Sequence, residues 1–418
     1  MDVRHLRDVT AAVHIETSEL FDRLAPARAR LADADERLLR TQIALSEIPA
    51  PTGGEQARGE WVAERYRRIG LCDVHTDDVG NVTGTRLGTA RRRAPLGSDD
   101  APVLVCAHLD TVFPAGTAVA VARDGRQLAG PGIVDNSRGL AAMLALAETI
   151  DGTSLATERS IVFAATVGEE GAGDLRGAKH LFARLDEMPS ACIALDGAGD
   201  DRVVNRALGA RRFHIAFHGQ GGHSWAAFGV PNPVHAAGLA AAKLATLPLP
   251  RTPRTTLSVC RIGGGISVNA IPEEGWLEVD LRSSAGDTLA RCAEEIQWVV
   301  RAALREENQR RAAGTAPLTF TIAIIGDRPC GELPADDPLV RAAVGATAAI
   351  GRTAALVTAS TDANIPISLG VPAIAIGAGG RGGGVHTPGE WYDNTDGQLG
   401  VARALTVLVA AGGLARAT

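Results

Sequence analysis

A chain of 418 residues is long enough for two or three domains of ordinary size. Hydrophobic residues make up 45% and charged residues 22%, a balance that excludes extended disorder, and no short period suggests collagen or a coiled coil. A net charge of −6 argues against a nucleic-acid partner, and the absence of any run of about 18 apolar residues argues against a membrane span.

In chain order, Leu20, Leu24, Leu31, Leu38 and Leu39 recur at helical spacing, so residues 17–48 read as helical within an N-terminal region of about 1–48. Ile48-Pro-Ala-Pro-Thr-Gly-Gly54 interrupts the pattern, and a second amphipathic helix runs from Glu55 to Ile69, with Gly70 as its cap. Three short apolar runs follow, Val103–Ala107, Ile161–Val167 and Cys192–Leu195, separated by helical stretches at 140–150 and 177–185. Alternation of this kind predicts an α/β fold: a mixed, mostly parallel sheet with helices on both faces.

After Arg206 the pattern changes. Residues 212–218, 256–262 and 275–281 alternate polar and apolar, 318–325 reads as another strand, and helices are expected at 233–247 and 288–308. The order β-α-β-β-α-β is ferredoxin-like, so a second, α+β domain is inserted into the first. From Asp337 the α/β pattern returns, with a helix to Ile350, a strand at 373–376 and a closing helix at 398–410. The expected division is 1–209 and 327–418 for the α/β domain and 210–326 for the insert.

The six cysteines form no CxxC pair, and Cys106 and Cys192 lie inside apolar runs, as buried thiols do in a reducing cytoplasm. Charges scattered through Met1–Leu20 leave no apolar stretch for a signal peptide. The cluster Arg91-Arg92-Arg93 reads as a solvated loop. His5, His14, His75, His180, His214, His218 and His235 read as packed or surface histidines.

Chemistry-bearing residues follow the apolar runs. His108 and Asp110 follow the first, Glu169 and Glu170 the second, Asp196 the third, and His386 a glycine-rich loop after 373–376, while Asp135 sits just before a helix. In open α/β sheets ligands bind outside the carboxyl ends of the strands, so these residues converge on one edge. Imidazoles and carboxylates suit zinc, cobalt or manganese, and two imidazoles with three or four carboxylates exceed the needs of one tetrahedral ion. Two divalent ions sharing a carboxylate would use them all and clamp a water that loses its proton near neutral pH. Side chains of adjacent residues at a strand end diverge, so one glutamate can bind metal while the other moves a proton. Asp110, two residues after His108, can accept its second ring N–H. Gly382-Gly-Gly384 lacks the Lys-Ser/Thr of a phosphate loop and reads as flexible backbone before His386.

Taken together, His108-Leu-Asp-Thr-Val112, Gly130-Pro-Gly-Ile-Val-Asp-Asn136, Glu169-Glu-Gly171, Leu195-Asp-Gly197, Gly221-Gly-His-Ser224 and His386-Thr-Pro-Gly-Glu390 resemble the co-catalytic zinc peptidase family. That family includes peptidase T, the aminoacylases, succinyl-diaminopimelate desuccinylase and folate-cleaving carboxypeptidases. Thr166-Val-Gly-Glu-Glu170, Ser360-Thr-Asp-Ala-Asn-Ile-Pro366 and Glu390-Trp-Tyr-Asp393 look most like its peptidase T-like branch. The resemblance implies that Asp135 bridges two metals, that His108 and Asp196 complete one site and Glu170 and His386 the other, and that Glu169 is the general acid/base. It implies a cis Asp135–Asn136 peptide and makes the insert a lid and dimerisation domain. It also implies that His223 donates to the oxyanion, often from a partner subunit, and that Asn269 contacts substrate.

Carboxypeptidase-type members carry an arginine shortly before the segment that is Ser360-Thr-Asp362 here, and Leu356–Ala359 has none. Arg328 and Arg381 are the candidate substitutes for holding a substrate carboxylate. Asp362 either binds substrate or caps the next helix. The expected protein is a cytoplasmic, homodimeric enzyme with two divalent metal ions, zinc first, that cleaves an amide in a small peptide or N-acyl amino acid. Hydrolysis of a carbamoyl or amidine C–N bond, or metal-bearing ligand binding without turnover, are the competing readings.

Overall fold

In the computed structural model, residues 16–89, 101–153 and 155–415 are described. Arg91–Arg93, His5, His14 and the first 15 residues of the Met1–Leu20 stretch lie outside them.

The central sheet follows from strands buried on both faces. In Val103–His108, Val103, Val105 and Ala107 enter one core while Leu104 and Cys106 enter the other. Ile161–Thr166, Ala191–Leu195 and Ala373–Ile376 divide in the same way. Burial on both faces is why these segments are continuous apolar runs rather than alternating ones. The four pair in parallel, in the order 161–166, 103–108, 191–195, 373–376, so their carboxyl ends share one edge.

The remaining strands lie toward the margins. Cys72–Thr76 and Val82–Arg86 extend one side antiparallel, and Arg202–Ala207, Gly331–Glu332 and Ala355–Ala359 the other, giving nine strands of mixed direction. The first core is covered by the helices Gln56–Ile69, Ser137–Gly152, Pro338–Ala349 and Gly397–Gly412 and by the N-terminal region. Arg176–Arg184 and Asn364–Ser368 cover the second.

The helical stretch expected at 17–48 is three helices, Thr17–Arg23, Ala25–Asp33 and Asp35–Ser46, broken at Leu24 and Ala34. Leu20, Leu24, Leu31 and Leu38 enter the same core across the breaks, while Leu39 enters a small separate cluster with Leu128, Ile133, Val134 and Tyr392. No helix among the described residues is long and apolar enough to cross a membrane, and all six cysteines are free.

The insert has a four-stranded antiparallel sheet in the order Thr255–Gly264, Glu274–Ser283, Gly209–His218, Thr319–Arg328. Pro233–Ala245 and Gly286–Gln309 pack on one face, which gives the ferredoxin-like arrangement its own core. The chain leaves the main sheet after Arg202–Ala207 and returns at Gly331–Glu332, and these two segments pair with each other. A small sheet of Arg381–Gly383, Trp391–Asp393, Gln127–Ala129 and Ala122–Asp124 joins two distant stretches of the chain.

Candidate metal centre and active site

His108 ends its strand and is almost wholly buried, and its Nε2 lies 2.9 Å from Asp135 Oδ1 and 3.9 Å from Asp196 Oδ1. His386 Nε2 lies 3.2 Å from Asp135 Oδ2 and 2.9 Å from Glu170 Oε1. The two oxygens of one carboxylate thus face two different imidazoles. Within each of three groups the ligand atoms lie within 4.8 Å of one another: His108, Asp135, Asp196; Asp135, Glu170, His386; and His108, Glu169, Glu170. Asp135 Oδ1 is buried and close to His108 yet makes no hydrogen bond. A buried oxygen without a donor, among carboxylates and imidazoles, fits a divalent cation of the zinc type. Either of the first two groups could hold an ion, with Asp135 common to both.

The backbone explains how these side chains meet. Asp196 directly follows Ala191–Leu195, and Glu169 and Glu170 follow Ile161–Thr166 through Gly168, which turns at φ +61°. Asn136 caps the helix Ser137–Gly152 by accepting from Gly139 N. The same side chain accepts from Gly197 N and donates to Leu195 O, so it staples the Asp135 loop to the strand end that carries Asp196. The Asp135–Asn136 peptide is cis.

Asp110 differs in detail from its expected part. His108 Nδ1 lies 3.0 Å from the backbone carbonyl of Asp110 and 3.5 Å from its carboxylate. The carboxylate instead accepts from Glu169 N at 2.9 Å, Glu170 N at 3.0 Å and Thr52 Oγ1 at 2.8 Å. It fixes the backbone of both glutamates as well as flanking the imidazole.

The electrostatics follow from crowding charge in little water. Burial pushes Glu169 well above the ordinary carboxylate range, against the pull of Arg328 and His108. Burial also pushes Glu170 up to about 7. For Asp135, burial opposes ionisation, but the two imidazoles of His108 and His386 that face its oxygens outweigh it and hold the carboxyl low. Hydrogen bonding to Asp135 raises His386 to about 9. His108 is raised as well, because Asp110, Asp135 and Asp196 overcome the effect of its burial.

Five other candidates lie apart from this cluster or reach it differently. Arg328, at the end of the insert's last strand, is buried against Glu169, with Nη1 3.2 Å from Glu169 Oε1 and 3.1 Å from Ser360 Oγ and with Nη2 donating to the Glu169 carbonyl. It is committed to the protein rather than open to a substrate carboxylate. Arg328→Met is expected to cost about 3–5 kcal/mol, since it strands a buried carboxylate. It also pushes the Glu169 carboxyl further up and disfavours its ionised form, because the Arg328 charge that pulls it down is gone. Urea unfolding checks the first effect, and the acid limb of the turnover profile checks the second.

Arg381 is exposed, across the ladder from Asp393. Asp362 neither caps the helix Asn364–Ser368 nor faces open solvent. Its Oδ2 accepts from Thr166 Oγ1 at 2.6 Å, Oδ1 has no partner, and burial pushes it up to about 6. His223 and Asn269 sit together on the insert, where Gly222–His223 pairs with Ala270–Ile271, and both are exposed with no hydrogen bond or ion pair to the cluster.

Two residues for which the sequence pattern offers no role also support the site. Glu55 accepts from Gly168 N, and Glu390 accepts from three backbone N–H groups of the Asp135 loop. Only their proximity to His386 or to the Gly-Gly break at 53–54 hints at them, because the site-supporting partners of both are main-chain N–H groups, which carry no side-chain signature, although Glu55 also accepts from Arg176 Nη2 at 3.0 Å.

The model of peptidase family M20/M25/M40 matches residues 104–410. The succinyl-diaminopimelate desuccinylase of Corynebacterium glutamicum is 25% identical over 261 residues, 60% of this chain and 68% of its own length. Among solved structures, aminopeptidase PepT from Bacillus cereus superposes with a TM-score of 0.69 at 21% identity, covering 90% of this chain and 98% of its own. A dinuclear metal-binding peptidase of the M20 family from Bacillus subtilis superposes with a TM-score of 0.65 at 16% identity, covering 92% of this chain and all of its own, 100%.

Proposed function

The chain belongs to the M20/M25/M40 peptidase family, with the fold of its peptidase T-like members, and on that footing we propose that it is a two-metal-dependent hydrolase cleaving the amide bond of a small peptide, of the di-/tripeptidase or aminopeptidase type. The observation that supports this most is Asp135, whose two oxygens face His108 and His386 with Glu169 close by. In this reading His108, Asp135 and Asp196 hold one ion and Asp135, Glu170 and His386 the other, with Zn2+ preferred over Co2+ or Mn2+ for this mixed set of imidazoles and carboxylates. Bound there, the ions polarise the scissile carbonyl and make water a nucleophile near neutral pH.

The chain's own groups do the rest. Glu169, raised by burial, takes a proton from the attacking water and hands it to the leaving amine. Asp110 keeps the Glu169 and Glu170 backbone in register, and Arg328 orients the Glu169 carboxylate. Asp362, behind Thr166, supports the strand end rather than the substrate. With Arg328 occupied, Arg381 is the arginine left to meet a substrate carboxylate.

His223 and Asn269 act across a subunit boundary in this reading. Near them along the chain are Trp225, Phe228, Ile266 and Val268, which are 88%, 90%, 101% and 103% exposed. Apolar side chains that stand this far out favour a homodimer formed through the insert. The six free thiols suit a reducing compartment such as the cytoplasm.

The Corynebacterium relative favours a second reading, removal of an N-acyl group from an amino acid. A panel of dipeptides, tripeptides, N-acyl amino acids and ureido acids, assayed with and without chelator, separates the two. Chelator-sensitive cleavage of free peptides is expected. Faster turnover of N-acyl or ureido substrates would replace the peptidase reading, and stoichiometric ligand binding with no turnover of any substrate would overturn both.

A further inference from the structure

Glu390 is wholly buried, and no cationic side chain among the described residues pairs with it. Its Oε1 accepts from Val134 N at 2.7 Å and Asp135 N at 2.9 Å, and its Oε2 from Gly132 N at 3.2 Å. Its backbone is engaged as well: its carbonyl accepts from Gly130 N at 2.9 Å, and its own N–H donates to Thr387 O at 3.1 Å. The strand Trp391–Asp393 that follows it pairs with Gln127–Ala129, which leads into the Asp135 loop. Glu390 therefore stands where the His386 segment meets the segment that carries Asp135, 255 residues away along the chain.

A purely structural filler at this position has no need of a charge. A buried carboxylate is costly to desolvate and persists only where its acceptor capacity is used. Three converging N–H groups use it in a way that a neutral amide cannot reproduce. Glutamine offers one oxygen and would turn its NH2 toward the Gly132 or the Val134 and Asp135 donors. Without the carboxylate the loop loses the contact that sets where Asp135 stands relative to His386.

We propose that Glu390 is a positioning residue: its carboxylate locks the Gly132–Asp135 backbone to the His386 segment and so fixes how Asp135 meets both imidazoles. The proposal rests on the two-metal reading of the site. Carboxylates that orient metal ligands from behind typically carry about 10- to 100-fold in metal affinity or activity.

The test is cobalt titration of the metal-free full-length chain, wild type beside Glu390→Gln and Glu390→Asp. It is read by visible absorption and bound stoichiometry, with thermal melting of each metal-free protein. Glu390→Gln is expected to fold, to bind cobalt about 10- to 100-fold more weakly and to change the cobalt spectrum. At saturating metal its kcat falls while KM stays, since Glu390 touches no substrate. Glu390→Asp keeps the charge with a shorter reach and is expected to fall between. Variants that take up cobalt with wild-type affinity and spectrum overturn the positioning role. So does failure of both variants to fold, which would make the residue a structural one. Wild type that takes up no cobalt sinks the two-metal reading itself, a result separable from the other two.

Discussion

Glu169→Gln is expected to lower kcat by about 10²- to 10⁴-fold while leaving metal content unchanged. The substitution keeps the shape of the side chain and removes only its ability to carry a proton. Glu169 is buried beside His108 and Glu170 and is raised well above the ordinary carboxylate range, as a group that must take and then return a proton requires. Asp110 holds its backbone N–H and Arg328 holds its carboxylate, so the amide should occupy the same place. Steady-state turnover together with metal analysis checks both halves. A variant as fast as wild type would show that the proton passes through another group. A variant that loses metal would show that Glu169 serves as a ligand.

Chelation is expected to abolish turnover, and refilling the site is expected to release protons and to grow tighter as pH rises toward about 9. Without metal, His386 carries a proton at neutral pH, because Asp135 raises it to about 9, and burial leaves Glu170 half protonated near 7. A cation must displace both protons, so affinity falls as pH falls. The stability of the metal-free chain runs the opposite way. His386 is raised above its ordinary value, so its contribution is complete below about 6.5 and is lost as pH climbs through about 9. Glu170, raised from 4.5 to about 7, favours folding in its protonated form, so its support is complete below about 4.5 and its last part is lost as pH climbs through about 7. Metal-free protein should therefore melt lower at pH 9 than at pH 6.5, while the loaded protein resists the change. Calorimetric zinc titrations in buffers of different protonation enthalpy measure the proton release. Binding that is tighter at pH 6 than at pH 8 would contradict the assignment.

What could be read from the residues depended on whether side chains or main chain did the work. Val103–His108 and its parallel neighbours declared themselves because burial on both faces leaves an unbroken apolar run. Cys72–Thr76, with its exposed Asp73 and His75, and Arg202–Ala207, with its two arginines, lie outside the four parallel strands and carry no such run. They become strands only because a neighbour supplies hydrogen bonds. The convergence of His108, Glu169, Glu170 and Asp196 was legible for the same reason as the sheet, since each follows an apolar run. Arg328 was visible as a charge but not as the partner of Glu169, because that contact depends on how the insert's last strand returns to the main sheet. Asp362 read as either a substrate contact or a cap by its place before Asn364–Ser368, yet Thr166, 196 residues away, claims one of its oxygens.

The site is also assembled across time. His108, Asp135, Glu170 and Asp196 are synthesised before the insert, whereas His386 is synthesised after it. The strand Ala373–Ile376 must by then slot between Ala191–Leu195 and Arg202–Ala207, which were made much earlier. A nascent polypeptide can offer the group of His108, Asp135 and Asp196, but not the one completed by His386. The complete pair of groups therefore exists only once the chain has passed His386 and Ala373–Ile376 has entered the sheet.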